Sequence, residues 1–505
     1  MTGINQGQHR ELLRKIAFDV MKESGLLTDF PGGVMDELAK IYGPASDSSP
    51  AIRDMTGLLW CSIDNDSSLD LDQLTAAQKE PSGAVKIFVA IADVDAVAGR
   101  LSAIDVFASQ NTLSVYTPAV VFPMLPVRLS NDLTSLNFGC DRLAVIIEMT
   151  IAQDGGLLDS GIYRAKVRNK AKLAYDSTAA WLDNKSPMPV EISRVKGLDE
   201  NIRLQDATAQ KMQALRHAQG ALHLVTLQTH PVFADGEIKS LELEIKNRAK
   251  DIIEDFMIAA NGVTARFLES KKFPSIRRVV HTPKRWDRII SLALEKNFKL
   301  PQQPDAKSLD KFLLQQKNAD PLHFPDLSLS IIKLLGPGEY TLELPGESTE
   351  GHFGLAVRDY EHSTAPNRRY PDLVTQRLLK KAIEGGEVPY STGELKEIAK
   401  HCTEKENDAK KVERHLDKSA AALLLTSMIG LEFDSMVTGA SNKGTYVRIF
   451  QPPVEGRLSG GLMGLDVGQK VRVKLVSTDV ERGFVDFEVK DQVKQIAEKQ
   501  RENPA

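Results

Sequence analysis

The sequence predicts an α+β protein in three parts: a short helical N-terminal region, a large central domain of mixed sheet and helices, and a C-terminal OB-type β-barrel. Three observations predict this arrangement. Apolar residues recur at the helical spacing in residues 8–42 and again over much of the chain after residue 200. Short runs of β-forming residues begin near residue 57, and glycine-rich turns separate further strands in the last 70 or so residues. A chain of 505 residues is too long to fold around one hydrophobic core, so several domains are expected. We predict the helical region at 1–50, the central domain at 51–430, the barrel at 431–495 and a tail at 496–505.

The N-terminal region is predicted to contain two amphipathic helices. The first is indicated by apolar residues that share one helical face, namely Leu12, Leu13, Ile16, Val20 and Met21. The segment FPGG interrupts this pattern, VMDELAKIYG resumes it, and ASDSSP has the composition of a linker. We expect the two helices to pack on the main body as a helical hairpin.

The central domain is predicted to begin with strands and to continue with helices. LLWCSID and VKIFVAIADV are short apolar runs, and a long hairpin is predicted to turn at Asp154-Gly155-Gly156. AKDIIEDFMIAANGVTARFLES and YPDLVTQRLLKKAIEGG show the 3.6-residue period, and the second segment ends on glycines, as helices often do.

The C-terminal part returns to short strands. FDSMVTGASNKGTYVRIF, VEGRLSG, QKVRVKLVSTD and GFVDFEV are separated by glycines and polar turns, which is typical of a small five-stranded OB-type barrel. The tail KQIAEKQRENPA is predicted to be a frayed helix.

Composition excludes some classes of protein but leaves nucleic-acid binding open. No apolar run reaches the roughly 18–20 residues of a membrane span, and the N-terminus has no secretory signal, so we expect a cytoplasmic protein without membrane contact. The wide spacing of Cys61, Cys140 and Cys402 argues against a disulfide framework or a structural zinc site. The net charge of −4 does not exclude RNA, because a nucleic-acid enzyme needs only a local basic lining.

The most informative segment carries Asp64, Asp66, Asp70 and Asp72 directly after a strand with a buried pattern. Asp70 and Asp72 are two residues apart, so in an extended segment they face the same side. Grouped carboxylates repel one another unless a cation neutralises them. Hard oxygen ligands of this kind suit Mg²⁺, which can activate water and clamp phosphate oxygens. The alternatives at this point are a solvated acidic loop and a weak calcium site.

A second group of residues is basic. Period two predicts that five cations lie on one face of a single strand, namely Arg164, Lys166, Arg168, Lys170 and Lys172. Such a row either lies against an anion such as a nucleic-acid backbone or guards a solvated sheet edge.

A third group is the pair Arg368 and Arg369, in a turn that leads into a predicted helix. A helix N-terminus attracts anions, and arginine can hold a phosphate bidentately. The alternative for this pair is a surface ion pair.

Several long motifs together resemble one known family. They are SIDNDSSLDLDQL, FVAIADV, SVYTPAVVFPMLPVRLSNDLTSLNFGCDRLAV, KAKLAYD, IIEDFMIAAN, HFGLAVRDYEHSTAPNRRYPDL and the OB-like tail. In these motifs the chain is similar to the ribonuclease II (RNB) family over nearly its whole length. The resemblance implies a central RNB-type catalytic domain and a C-terminal barrel of the S1 type that binds RNA.

The resemblance also implies site residues. The family's metal-holding aspartates match Asp64, Asp70 and Asp72, with Mg²⁺ as the ion and Mn²⁺ as the alternative. The arginine at the scissile phosphate matches Arg368, and Arg369 beside it is expected to bind substrate. Four further positions match residues that contact RNA in the family. Tyr116 matches the aromatic that stacks on the 3′-terminal nucleotide, and Tyr175 matches a further aromatic along the RNA path. Glu254 matches a carboxylate near the 3′ end, and Glu413 matches a glutamate that contacts the terminal nucleotides. On the barrel, Tyr446, Arg448 and Phe450 alternate on the expected binding strand, with core packing of Phe450 and Tyr446 as the alternative.

The chain departs from the family pattern at several positions. The family's fourth aspartate is Gln73 here, the histidine of HIADV is Ala90, and Asn367 replaces an apolar residue. The second base-stacking aromatic has no clear counterpart in the segment 220–224. The first 50 residues are too few and too helical for the cold-shock barrels of larger relatives.

The function implied by the resemblance is hydrolysis of single-stranded RNA from the 3′ end by a monomer, with release of 5′-mononucleotides. Gln73 motivates one rival, a catalytically weak or inactive RNA-binding protein on the same fold. A second rival is an OB-type adaptor fused to an unrelated metal phosphoesterase.

Overall fold

The computed structural model describes residues 8–225, 228–244, 246–321, 323–347, 350–441, 444–459, 465 and 467–491, so the predicted tail lies outside the described residues. The helices in chain order are α1 (Gln8–Glu23), α2 (Gly32–Ala39), α3 (Ala103–Asn111), α4 (Tyr175–Leu182), α5 (Val190–Ser193), α6 (Leu198–Gln219), α7 (Arg248–Ser270), α8 (Trp286–Glu295), α9 (Ala306–Ala319), α10 (Phe324–Leu335), α11 (Tyr370–Glu384) and α12 (Thr392–Leu425).

The strands of the central part are β1 (Arg53–Asp54), β2 (Cys61–Asp64), β3 (Gln73–Lys79), β4 (Val85–Ala92), β5 (Val115–Tyr116), β6 (Val121–Phe122), β7 (Asp141–Ile151), β8 (Leu157–Arg168), β9 (Ala171–Ala174), β10 (Thr229–Ala234), β11 (Glu237–Leu243), β12 (Ser275–Val279) and β13 (Glu339–Glu343). Those of the C-terminal part are β14 (Glu432–Ser441), β15 (Gly444–Ile449), β16 (Glu455–Leu458), β17 (Lys470–Asp479) and β18 (Phe484–Asp491). The α+β class is thereby confirmed.

The two predicted N-terminal helices are present, and each packs on a different part of the body. α1 lies on α12, where Leu13 and Ile16 share a buried cluster with Val412 and Leu416. α2 instead contacts α3, and its buried Val34 joins the main core. Their apolar stripes therefore serve as two separate attachments to the body.

The central sheet has seven strands in the order β1-β8-β7-β4-β3-β2-β9. The predicted hairpin is confirmed as β7 and β8, which pair antiparallel. Its turn needs glycine at Gly155, where φ is +92° and a Cβ would collide with the carbonyl of Lys211 in α6. β2 and β3 are also antiparallel neighbours, with Cys61 opposite Thr75. The connection between them, here called the acidic loop (residues 64–72), consequently emerges at one end of the sheet.

The prediction that five cations share one strand is wrong. β8 ends at Arg168, Asn169 and Lys170 form a break, and Lys172 lies on β9, which pairs with β2 at the other side of the sheet order. Asn169 is buried and its amide donates hydrogen bonds to Ser62 Oγ at 3.1 Å and to the carbonyl of Leu136 at 2.9 Å. The alternation therefore continues across a break between two strands at opposite sides of the sheet order. Because only two residues bridge β8 and β9, at most about 11 Å of chain, the sheet must curl.

Most of these cations are paired with carboxylates inside the protein. Arg164 Nη2 lies 3.0 Å from Asp93 Oδ2, and Lys166 Nζ lies 3.3 Å from Asp54 Oδ2. Arg168 Nε lies 2.5 Å from Asp141 Oδ1. These pairs balance the charge of the row without any external anion.

The C-terminal part is a closed barrel in the order β14-β15-β16-β18-β17, as predicted. Val447, Val473 and Phe487 fill its interior. Arg448 on β15 attaches the barrel to the central part, because its guanidinium donates two hydrogen bonds to Asp326 of α10, at 2.6 and 3.0 Å. Tyr446 on the same strand is 39% exposed, whereas Phe450 lies just after the strand and is half-buried.

Within the described part of the chain, no helix combines the length and the apolar character that a membrane span requires. All three cysteines are free thiols.

A buried ion network joins α11 to α3 and to the segment that follows β4. Arg377 donates hydrogen bonds to Asp95 at 2.9 Å, to Asp105 of α3 at 2.8 Å and to the carbonyl of Ala98 at 2.7 Å. Arg377 is 4% exposed and Asp105 is 3% exposed, so each charge depends on the other for its solvation.

We expect Arg377→Met to lower the free energy of unfolding by about 3–5 kcal/mol, because it leaves buried carboxylates without a counter-charge. Lys381→Met on the same helix is the matched control, since Lys381 and its partner Glu384 are about half exposed. That change should cost at most about 1 kcal/mol. Urea unfolding followed by circular dichroism measures both, and equal losses would contradict the assigned role of the network.

Candidate active site

The acidic loop is held in place by residues 129–137, through the uncharged side chain of Ser135 and the backbone of Leu136. Ser135 is fully buried, and its hydroxyl accepts a hydrogen bond from the backbone of Leu71 at 3.0 Å and donates one to the carbonyl of Leu69 at 2.8 Å. The backbone of Leu136 donates to the carbonyl of Leu71 at 3.0 Å. The backbone on both sides of Asp70 is consequently fixed.

The arginine turn, residues 363–369, meets the acidic loop at Asp72. The backbone N–H of Asn367 donates a hydrogen bond to Asp72 Oδ1 at 3.0 Å, and Arg368 Nε lies 3.4 Å from Asp72 Oδ2. The Asn367 side chain is itself fixed, because the Thr134 hydroxyl donates to its Oδ1 at 2.5 Å. The segment that orders the acidic loop thus also orders the arginine turn.

Tyr116 is brought to the same place by backbone pairing. The N–H of Ser114 donates to the carbonyl of Arg368 at 3.0 Å, which aligns the start of β5 with the arginine turn. The Tyr116 hydroxyl donates to Asp70 Oδ2 at 3.2 Å, and its backbone N–H donates to Glu413 Oε1 of α12 at 3.0 Å. The ring is 41% exposed, so it is anchored at both ends and open on the side that faces solvent.

The electrostatics of the loop favour a bound cation. Asp72 is 2% exposed, and burial raises the pKa of its carboxyl to about 7 even though Arg368 opposes the shift. Burial also raises the pKa of Asp64, and the negative charge of Asp70 raises the pKa of both Asp64 and Asp72. Asp72 Oδ2 has no hydrogen-bond partner among the described residues. A buried carboxylate oxygen without a donor is costly, and a divalent cation would compensate it.

The three aspartates fit such a cation chemically, with some side-chain movement. Their ligand atoms do not form a set within 4.8 Å of one another in the described structure. Asp64 Oδ1 accepts hydrogen bonds from the backbone of Asn65 and from Ser68 Oγ, and Asp70 is held by Tyr116. Binding an ion among the three would require rotation of Asp64 or Asp70 out of these hydrogen bonds.

The remaining predicted residues lie around this centre. Tyr175 begins α4 and borders the loop, since burial and the Asp64 charge both raise the pKa of its hydroxyl. Glu254 makes no described contact with the acidic loop, and its carboxylate pairs with Lys246 at 2.7 Å. Arg369 points inward, where its guanidinium donates to Asp372 Oδ1 at 2.7 Å.

Some positioning residues escaped the sequence reasoning. Ser135, Thr134 and Asn367 are all buried and carry no charge, so no rule about catalytic residue types selects them. For Thr134 and Ser135, the signal is the length of the motif SVYTPAVVFPMLPVRLSNDLTSLNFG, most of which contains no residue type typical of catalysis. Serine, threonine and asparagine within a long motif of this kind indicate hydrogen bonding to other loops.

Two positions at which the chain departs from the family pattern, Gln73 and Ala90, differ in their surroundings. Gln73 is the first residue of β3 and is half-buried beside Asp72. Ala90 is fully buried in β4 between Leu74 and Ile146, so the position of the family histidine is apolar in this chain.

Two family models match the chain in this arrangement: the RNB domain over residues 52–385 and the RNase II-type exonuclease C-terminal S1 domain over residues 432–490. The chain belongs to the RNB family. Ribonuclease R 1 of Lactococcus lactis is 26% identical over 93% of the chain, and the chain spans 60% of that protein's length. Ribonuclease R of Thermotoga maritima is 30% identical over 86% of the chain and 64% of its own length.

Solved structures share the RNB fold. RNase R of Mycoplasma genitalium in complex with ribose-methylated single-stranded RNA superimposes with a TM-score of 0.85 at 23% identity, over 95% of this chain and 78% of that one. Yeast Ssd1, described as a pseudonuclease, has a TM-score of 0.71 at 16% identity, over 91% of this chain and 57% of that one. Family membership excludes the rival of an OB-type adaptor fused to an unrelated phosphoesterase, but the fold is shared by proteins with and without nuclease activity.

We expect Ser135→Ala to lower the rate of RNA cleavage by up to about 100-fold while RNA affinity changes little, because the acidic loop loses both hydrogen bonds to the hydroxyl. Ser130→Ala is the control, since Ser130 is equally buried but its hydroxyl contacts Asn131 instead of the loop. Single-turnover cleavage and a gel-shift titration separate the two effects. Similar rates in the two variants would rule out the anchoring role.

Proposed function

We propose that this chain is a hydrolytic exoribonuclease that digests single-stranded RNA from the 3′ end and releases 5′-mononucleotides. The observation that carries the proposal is the meeting of buried Asp72 with Arg368, which sets a ligand for a metal ion beside a cation for a phosphate. Membership of the RNB family supports the reaction class. The site is assembled within one chain, which supports a monomer as the active form.

The metal of the proposal is Mg²⁺, with Mn²⁺ as the alternative, held by Asp64, Asp70 and Asp72. Carboxylate oxygens are the hard ligands that such ions prefer. Asp72 Oδ2 accepts no hydrogen bond from a described residue and has only Arg368 Nε nearby, at 3.4 Å, which supports an ion on that side. When bound, the ion supplies Lewis-acid stabilisation for hydrolysis of a phosphodiester.

Arg368 is proposed to bind the scissile phosphate. Its side chain is 44% exposed, and among the described residues only its Nε has a partner, Asp72. The two terminal nitrogens are therefore free to bind a phosphate and to stabilise the charge that develops in the transition state.

Tyr116 is proposed to stack on the last base, a contact that contributes about 1–3 kcal/mol in single-strand binding. Its hydrogen bond to Asp70 fixes the distance between the stacked base and the acidic loop. Glu413 fixes the backbone of the same residue. A fixed distance from the terminal base to the cleavage site favours removal of one nucleotide at a time.

The outer contacts are proposed with different roles. Tyr175 and Glu254 remain proposed RNA contacts. Tyr175 lies beside the acidic loop, and the carboxylate of Glu254 forms an ion pair with Lys246. The pairing with Asp372 supports a role for Arg369 in holding the arginine turn. On the barrel, exposure supports Tyr446 as the RNA contact, because Arg448 is engaged by Asp326.

The second candidate function is RNA binding with little or no catalysis. Gln73 favours it, because the family's fourth carboxylate is missing, and the fold is shared with a pseudonuclease. Asp64, Asp70, Asp72 and Arg368 favour the enzyme, because the other three aspartates and the phosphate-binding arginine of the family pattern are present.

We expect Asp72→Asn to reduce cleavage of 5′-labelled single-stranded RNA by more than about 100-fold, because it removes the buried metal ligand. RNA affinity in a gel shift should stay within about twofold, because Arg368 and Tyr116 are unchanged. Asp66→Asn is the matched control, since Asp66 is exposed in the same loop, and it should cleave normally. A descending ladder from the wild type supports the enzyme, whereas a shifted but intact band supports the binding protein.

We expect Gln73→Asp to lower the Mg²⁺ concentration needed for half-maximal cleavage, because it adds a carboxylate beside Asp72. Since metal affinity depends on the charge of the ligands, a shift of about tenfold is expected. A Mg²⁺ titration of the cleavage rate measures it, with Gln73→Asn as the neutral control. An unchanged midpoint would mean that position 73 does not face the ion.

A further inference from the structure

A second group of metal-ligating side chains lies away from the acidic loop. His217 is in the last turn of α6, His223 follows that helix, and Asp310 is on α9. The two imidazole rings are stacked with centroids 3.6 Å apart and planes 17° apart. One nitrogen of each ring and one carboxylate oxygen lie within 4.8 Å of one another, the tightest arrangement of this kind among the described residues.

Hydrogen bonds hold both rings through Nδ1 and leave Nε2 of each ring without a described partner. His217 Nδ1 lies 2.7 Å from the carbonyl of Ala221, which can only accept, so Nδ1 carries the proton. Asp310 Oδ1 accepts hydrogen bonds from the backbone N–H of His223 at 2.7 Å and from its Nδ1 at 2.8 Å. Because Nδ1 of each ring is engaged in this way, Nε2 is the nitrogen that a metal ion could bind. Metal-binding histidines in proteins are oriented in this way, by a carbonyl or a carboxylate on the other nitrogen.

The second nitrogen of each ring, Nε2, is the one available to a ligand. No described residue donates a hydrogen bond to Nε2 of either ring. Two unpartnered nitrogens on adjacent rings are the pattern that a cation with affinity for nitrogen would satisfy.

We propose that His217, His223 and Asp310 bind a divalent ion of the zinc class, separate from the hard ion of the acidic loop. Imidazole nitrogens suit Zn²⁺, Ni²⁺ or Cu²⁺, whereas Mg²⁺ takes oxygen ligands. Zinc bonds of about 2.1 Å place tetrahedral ligands roughly 3.4 Å apart, so the three groups, whose ligand atoms lie within 4.8 Å of one another, would have to move closer together to hold one ion. The remaining positions would be filled by water.

The ion would act as a cross-link between α6 and α9. Both histidines line a cavity of about 480 Å³, whose wall also includes Lys246 and Glu254. Asp310 is buried in the helical core that includes Leu309 and Phe312. Binding would thus tie the histidines at the cavity wall to α9.

The test is zinc retention by the full chain. Protein stripped with a chelator is loaded with equimolar Zn²⁺ in excess Mg²⁺, which occupies oxygen sites, and is then desalted for zinc measurement by atomic emission. We expect about one zinc ion per chain in the wild type and less than about a tenth of that in His217→Ala and His223→Ala. Asp310→Asn should weaken zinc binding about 10–100-fold.

Two controls separate this site from others. Asp72→Asn and His230→Ala, which changes an exposed histidine on β10, should both retain zinc. Zn²⁺ should also raise the thermal unfolding midpoint of the wild type and of these controls, but not of His217→Gln or His223→Gln, which preserve side-chain volume. The proposal is overturned by a wild type that retains no zinc, by histidine variants that retain it, or by zinc loss in Asp72→Asn. Because RNA cleavage is not measured, failure here leaves the proposed nuclease function intact.

Discussion

The burial of the Asp72 carboxylate against the arginine turn is the constraint on which the site depends. A carboxylate at 2% exposure must have partners, and the chain supplies the backbone N–H of Asn367 and the side chain of Arg368. Both partners come from residues almost 300 positions away, so the loop and the turn can reach their positions only when the whole central domain is folded. The price of this arrangement is the raised pKa of Asp72, which a bound cation would reverse.

Around this contact the protein uses uncharged residues to set the position of charged ones. The segment that carries Thr134 and Ser135 touches the acidic loop on one side and the arginine turn on the other. The backbone of Ser114 extends the same frame to Tyr116. Asp70, Asp72 and Tyr116 are therefore held through neighbours with no chemical role of their own, which is how a site retains its geometry in the presence of water.

The basic side chains are arranged differently from what the sequence indicates, because several of them pair with carboxylates of the protein. Arg164, Arg168 and Arg377 neutralise aspartates within the structure, so they stabilise the fold at the expense of a basic surface. Arg368 differs because it is substantially exposed and only partly engaged. Whether a cation is available to bind RNA thus depends on how many carboxylates lie near it in the folded protein. The spacing of basic residues along the sequence does not show this.

The sequence by itself determined the α+β class, the two N-terminal helices, the β7–β8 hairpin and the C-terminal barrel, because each depends on local periodicity and turn residues. The motifs also indicated the family, and with it Asp64, Asp70, Asp72 and Arg368 as candidate site residues. The tertiary structure alone decided that Lys172 leaves the strand of Arg164, that Arg369 turns inward to Asp372, and that Ser135 anchors the acidic loop. The same holds for the approach of His217 to Asp310. These features depend on contacts between segments far apart in the chain, and local patterns carry information about a residue's own element but not about its partner.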